Sequence, residues 1–158
     1  MKKGNSSKSW REKLEKGMKP KLVDVPDKWA ARIGHGKMLV PSPLLIDKTI
    51  QKIPKGKLAT VNILRDRLAN KYKADMTCPL TTGIFLNIAA NTAEEDKMKG
   101  KKHITPYWRV LKTNGTLNEK FPGGTEQQAS YLKAEGFEIL KQKRSDKLSV
   151  KDFERNLI

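Results

Sequence analysis

Between Pro43 and Asn91 apolar residues recur at helical spacing, and proline breaks the pattern twice. That punctuation calls for separate short helices, so the sequence reads as a mostly α fold with short strands. Leu44, Leu45, Ile46, Ile50 and Ile53 form one stripe, which Pro54 stops, and Pro54-Lys55-Gly56-Lys57 is a turn. Thr60 stands as N-cap of a helix with Val61, Leu64, Leu68 and Tyr72 on one face. A break at Asp75–Pro79 precedes a second helix, expected to be capped by Thr81 or Thr82 and to carry Ile84, Phe85, Ile88 and Ala89 as its apolar residues. Two helices around a short break outline a helix-turn-helix, a pattern many helical proteins share.

Charge sets the class of partner. The 158 residues include 33 Lys and Arg against 17 Asp and Glu, a net charge of +16. Each cation that meets a phosphate releases condensed counterions, so nucleic acid is the first partner class; an anionic membrane surface or an acidic protein comes second. No apolar run approaches the roughly 20 residues of a membrane span. The charged N-terminus has no apolar run behind it, so a cytoplasmic location is expected, or the nucleoid if the chain sits on DNA. One cysteine excludes an internal disulfide, and Cys78, His35 and His103 are too scattered to suggest a metal. No cofactor is expected.

The expected organisation is a basic N-terminal extension over 1–42, a domain over 43–140 and a basic tail over 141–158. Within the extension, Ser9 to Glu15 suits a short helix with Trp10 and Leu14 on one side; Trp10 docks on the domain or the arm meets phosphates directly. Residues 19–43 read as irregular chain around a brief helix near Trp29, with His35 in a loop. Residues 92–105 read as a lysine-rich helix extension running into a loop, with His103 exposed. Thr125 with Gln128 reads as a capping box opening a helix that Gly136 ends, and Ser149 with Asp152 as the start of a short terminal helix.

Five features occur in a telling order. Ile53-Pro54-Lys55-Gly56-Lys57 leads into the helix pair at 60–91; Pro106-Tyr107-Trp108-Arg109-Val110 follows, then Asn114-Gly115 with Gly123-Gly124, then Leu132-Lys133-Ala134-Glu135-Gly136. None is specific alone. Together, from Leu44 to Ile139, the chain resembles the DNA-binding and active-site domain of the O6-alkylguanine-DNA alkyltransferases. They fall on that family's Ile-Pro-x-Gly-x turn, helix-turn-helix, Pro-Cys-His-Arg-Val motif, pocket-loop glycines and Glu-Gly helix end. The resemblance implies a winged helix-turn-helix domain acting on double-stranded DNA.

The departures bear on activity. In the family a cysteine thiolate, activated by histidine that a glutamate orients, accepts the alkyl group. Those positions fall on Tyr107 and Trp108, with Glu135 as the third. A phenol of pKa near 10 is a weak nucleophile at neutral pH, and indole is no base. Alkyl transfer is therefore not expected, and Glu135 reads as a carboxylate holding a backbone or arginine partner. The family's alkyltransferase-like subgroup also lacks the cysteine; its members bind alkylated guanine without repairing it and in several lineages flag it for excision repair. The subgroup keeps the histidine, which this chain does not. The family's base-flipping arginine falls on Gly83 and its nearby tyrosine on Val61. Either a neighbour such as Phe85 fills the vacated stack or flipping is lost.

Gly83, Asn87, Ala90 and Asn91 share one helical face, whose small and amide residues suit close approach to a minor groove. Lys55, Lys57 and Arg65 are candidate phosphate contacts. Tyr107, Trp108 and Phe121, with Arg109 and Glu135 beside them, either line an open base pocket or fill it. The expectation is a monomeric, non-enzymatic binder of plain or alkylated duplex, with excision-repair proteins as partners. The alternative is a basic RNA- or ribosome-associated protein on the same scaffold.

Overall fold

The computed structural model describes residues 9–158. Six α-helices are present: α1 Trp10–Leu14, α2 Asp27–Ile33, α3 Pro43–Gln51, α4 Val61–Lys71, α5 Pro79–Met98 and α6 Gly124–Ala134. Seven short strands accompany them: β1 Lys21–Asp24, β2 Lys37–Val40, β3 Ala59–Thr60, β4 Met76–Thr77, β5 Val110–Leu111, β6 Ile139–Lys141 and β7 Leu148–Val150. Helices outweigh the short strands, as the sequence reading expected, but take up somewhat less than half of the described residues.

Local chemistry explains most boundaries. The Ser42 hydroxyl accepts from the Leu45 N–H at the start of α3, and Thr60 does the same for Ile63 at the start of α4. The start of α5 differs from expectation. Pro79 occupies the first turn, where its fixed φ suits a helix and its missing N–H costs nothing. Thr82 is therefore an interior residue whose hydroxyl donates back to the Cys78 carbonyl at 2.6 Å. The capping box at Thr125 is also absent: Gly123, at φ 76°, precedes α6 without a side-chain cap. Gln128 is fully buried instead, donating to the carbonyls of Trp108 and Val110 and accepting from the Asn118 N–H. Gly136, at φ 93°, stops α6 as expected, with the Phe137 N–H returning to the Leu132 carbonyl. Ser149 lies in β7, and the terminal turn Phe153–Asn156 is 3₁₀.

The main core gathers α3, α4, α5, α6 and the strands β3 and β5, which pair in parallel with Ala59 opposite Val110. Leu14 of α1 belongs to this core although it lies in the segment read as an extension. The chain before α3 also contributes two strands. β1 and β2 are antiparallel, and β2 pairs in parallel with β4, in the break between α4 and α5. A small second core of Val25, Ala30, Met38 and Cys78 lies there. Residues 139–150 form the β6–β7 hairpin, whose buried Val150 joins the main core. No helix among the described residues is long and apolar enough to cross a membrane.

Candidate nucleic-acid interface and a closed aromatic cluster

Pro106 introduces a 3₁₀ turn over Tyr107–Arg109 that leads straight into β5, so the three side chains are fixed by core backbone. Tyr107 is fully buried, with Trp108 at 8% and Phe121 at 3% exposure. The Tyr107 ring meets Trp108 and Phe121 edge-on, with centroids 5.4 and 5.1 Å apart. Trp108 stacks on Tyr131 at 4.1 Å. Of the two states left open by the sequence, the filled one is observed: the rings occupy each other's space as core.

Polar atoms at the rim are satisfied. The Tyr107 hydroxyl donates to Glu94 Oε2 at 2.7 Å and accepts from the Gln127 amide at 3.2 Å. The Tyr131 hydroxyl donates to the same Glu94 oxygen and accepts from Lys97. Burial, reinforced by the hydrogen bond to Glu94, pushes the Tyr107 phenol well above its ordinary value. It is thus further from a nucleophile than a free tyrosine. The Trp108 indole N–H donates to Glu135 Oε2 at 3.0 Å. Arg109 reaches both Glu135 oxygens and also donates to the Ile53 carbonyl at 2.6 Å. Burial raises the Glu135 carboxyl, but the Arg109 and Trp108 hydrogen bonds and the charges of Arg109 and Lys55 outweigh it and hold the group below its usual range. The carboxylate orients an indole and anchors an arginine that ties the site to the end of α3.

A separate groove of about 740 Å³ runs along the first half of α5. Gly83 and Asn87 line it, joined by Val61 from α4 and by Lys112 and Lys120 from beyond β5. The two positions that the resemblance singled out, Val61 and Gly83, thus share one groove although far apart in sequence. At Gly83 an added Cβ would meet nothing within 4 Å, so the helix backbone is open to close approach. α5 has no acidic residue in its first turn, and its amide dipoles favour anions there. Lys112 is paired with Glu119 at 2.8 Å.

Trp10 and Lys13 of α1 form a further wall of this groove. Their position is fixed by α5 itself: the Glu95 carboxylate accepts from the Trp10 and Arg11 N–H groups, and Arg11 bridges to Asp96. Of the two roles left open for Trp10, docking is the observed one. The Lys13 ammonium lies 4.1 Å from the Trp10 ring centroid.

Several expected site residues lie elsewhere than the helical wheel placed them. Ala90 is fully buried, because the second half of α5 runs into the core where α1 and α3 pack on it; it offers nothing to a groove. Asn91 is half-buried and donates to the Asn87 carbonyl and side chain, so it supports Asn87. Phe85, the suggested replacement for the missing arginine, is 6% exposed and unavailable. Ile84 lines the same groove as Gly83 and is half exposed, as is Leu80. Lys55 and Lys57 are exposed on the turn before β3, and Arg65 is half-buried with its guanidinium donating to Asn62. None of these three makes an ion pair among the described residues. Trp10, Lys13, Lys112 and Lys120 were missed as groove residues; only the basic–aromatic clustering of residues 8–13 hinted at the first two. His35 and His103 are exposed, and no group of His, Cys, Asp and Glu among the described residues could hold a metal.

The fold and site together comprise a domain of six helices and short strands with a buried aromatic cluster and an exposed, cation-bordered helix. No protein-family model and no curated protein sequence matches the chain. Solved structures do. The chain is similar to S. pombe Atl1 in complex with damaged DNA containing O6-carboxymethylguanine, at 18% identity and TM-score 0.48, and to S. pombe ATL in complex with DNA, at 18% identity and TM-score 0.45. Each alignment covers 73% of this chain and 93% of the other.

Proposed function

We propose that this protein is a non-enzymatic, monomeric DNA-binding protein of the alkyltransferase-like type, in which α4 and α5 act as the helix-turn-helix of a winged domain and α5 enters the minor groove. The observation that carries the reading is the α5 groove, which bare backbone at Gly83 and the side chain of Asn87 line together with Val61 and the lysines. Lys55, Lys57 and Arg65 supply phosphate contacts. Absence of alkyl transfer is supported by the buried phenol of Tyr107 and by Trp108, whose indole serves only as a donor to Glu135.

O6-alkylguanine is recognised on this reading as a weakened base pair. The aromatic cluster is full, so discrimination comes from the lower cost of deforming a duplex at a damaged pair. Excision-repair proteins are the partners that such marking would serve. The test is a titration at fixed salt of plain duplex, duplex with one O6-methylguanine, single strand and structured RNA. The expected order is alkylated duplex, then plain duplex, then single strand, with no mass added to the intact protein. Equal affinity for both duplexes removes lesion recognition; tighter binding to RNA moves the protein to the ribosome-associated class.

A further inference from the structure

Two apolar residues near the start of α5 stand outside both cores. Leu80 is 59% and Ile84 50% exposed, one helical turn apart, and neither belongs to either core. The next two residues of the helix, Phe85 and Leu86, are buried. Pro79 and Leu80 line two depressions at once: the α5 groove on one side and a smaller cleft with Trp29, Arg32 and Ile33 on the other. They therefore stand as a ridge between two hollows. Cations border both sides, Lys13, Lys112 and Lys120 along the groove and Arg32 in the cleft. The one acidic side chain lining the groove, Glu119, is held by Lys112.

An apolar ridge between cations needs a partner that presents apolar faces between two rows of anions. Stacked bases between phosphate strands have that form, and apolar side chains of this kind pry base steps apart from the minor groove. We propose that Leu80 and Ile84 are a wedge that enters a base step of the bound duplex, unstacking and bending it without drawing a base into the protein. The open backbone at Gly83 lets the helix come close enough for both side chains to reach the step. The proposal rests on the DNA-binding reading above and adds deformation of the duplex to it.

The experiment uses the full chain, a duplex carrying 2-aminopurine beside its central step, and the same duplex with donor and acceptor dyes at its ends. The wild-type protein should raise 2-aminopurine fluorescence severalfold and shorten the end-to-end distance, as a bend on the order of 20–90° would. The Leu80→Ala/Ile84→Ala double variant should keep its melting temperature and the slope of its salt dependence, bind the duplex less tightly, and lose both signals even at protein concentrations that saturate the duplex. Wild-type binding without either signal overturns the wedge and leaves DNA binding intact. So does a double variant that keeps both signals. Loss of a dimer in the double variant with DNA signals unchanged assigns the ridge to self-association and overturns the wedge. No binding by the wild type overturns the wedge and the DNA reading together.

Discussion

Replacing Tyr107 tests whether the aromatic cluster is core or cavity. Tyr107→Phe keeps the ring and removes a hydroxyl that donates to Glu94 at 2.7 Å and accepts from Gln127 at 3.2 Å. A hydrogen bond to a charged group is worth about 1.5–3 kcal/mol, and Glu94 keeps its bond from Tyr131, so the loss should be about 1–2 kcal/mol. For a chain of this length that is a fall of roughly 3–6 °C in Tm. Tyr107→Ala also deletes a ring packed edge-on against Trp108, Phe121 and Tyr131. An aromatic-to-alanine change in a core costs about 3–5 kcal/mol beyond the hydroxyl, a large share of the about 5–15 kcal/mol that holds a typical domain together. Urea unfolding followed by circular dichroism measures both. Tyr107 does not line the α5 groove, so Tyr107→Phe should bind plain duplex with unchanged affinity. A Tyr107→Ala protein within about 1 kcal/mol of wild type would refute the closed cluster, since only an empty site tolerates such a deletion.

Three further outcomes are expected. Gly83→Ala, at a helix-interior site with space for a methyl group, should stabilise the fold by about 0.5–1 kcal/mol in thermal melts and weaken duplex binding by blocking close approach; unchanged binding would remove Gly83 from the interface. Lys55→Ala with Lys57→Ala should reduce the steepness of log K against log salt by about 2 and leave stability unchanged; an unaltered slope would take the turn off the DNA. Glu135→Gln breaks a pair whose side chains are 12% and 9% exposed, at a cost of about 3 kcal/mol at pH 7. Because the folded-state carboxyl lies below its ordinary value, its contribution is complete above the unfolded value near 4.3 and disappears as pH falls through the lower folded value. Acid titrations of stability should therefore converge for wild type and variant below that window; parallel curves would contradict the assignment.

The parts that the sequence made legible are those with local causes. Thr60 caps α4 because its hydroxyl reaches the Ile63 N–H three residues on, and Gly136 stops α6 because the chain turns left-handed there. The pairing of Glu135 with Arg109 was foreseen only as an unnamed arginine or backbone partner. Long-range packing defeated the rest. β1 and β2 are only four residues each and lie among prolines and glycines, so residues 19–43 read as irregular until β4, a two-residue strand, supplies the neighbour. Ala90 shares a wheel position with Gly83, but helical periodicity does not say where a twenty-residue helix dives beneath its neighbours. Leu80 escaped notice because Pro79, rather than a threonine, begins α5 and brings Leu80 onto the helix one turn before Ile84.

The most direct measurement is the affinity of the wild-type protein for an undamaged duplex as salt is raised from about 50 to 200 mM. With Lys13, Lys55, Lys57, Arg65 and Lys120 facing phosphates, and Lys112 held by Glu119, log K should fall against log salt with a slope of about −4 to −5. A flat line, or no binding at the lowest salt, would contradict the assignment of this surface to the double helix.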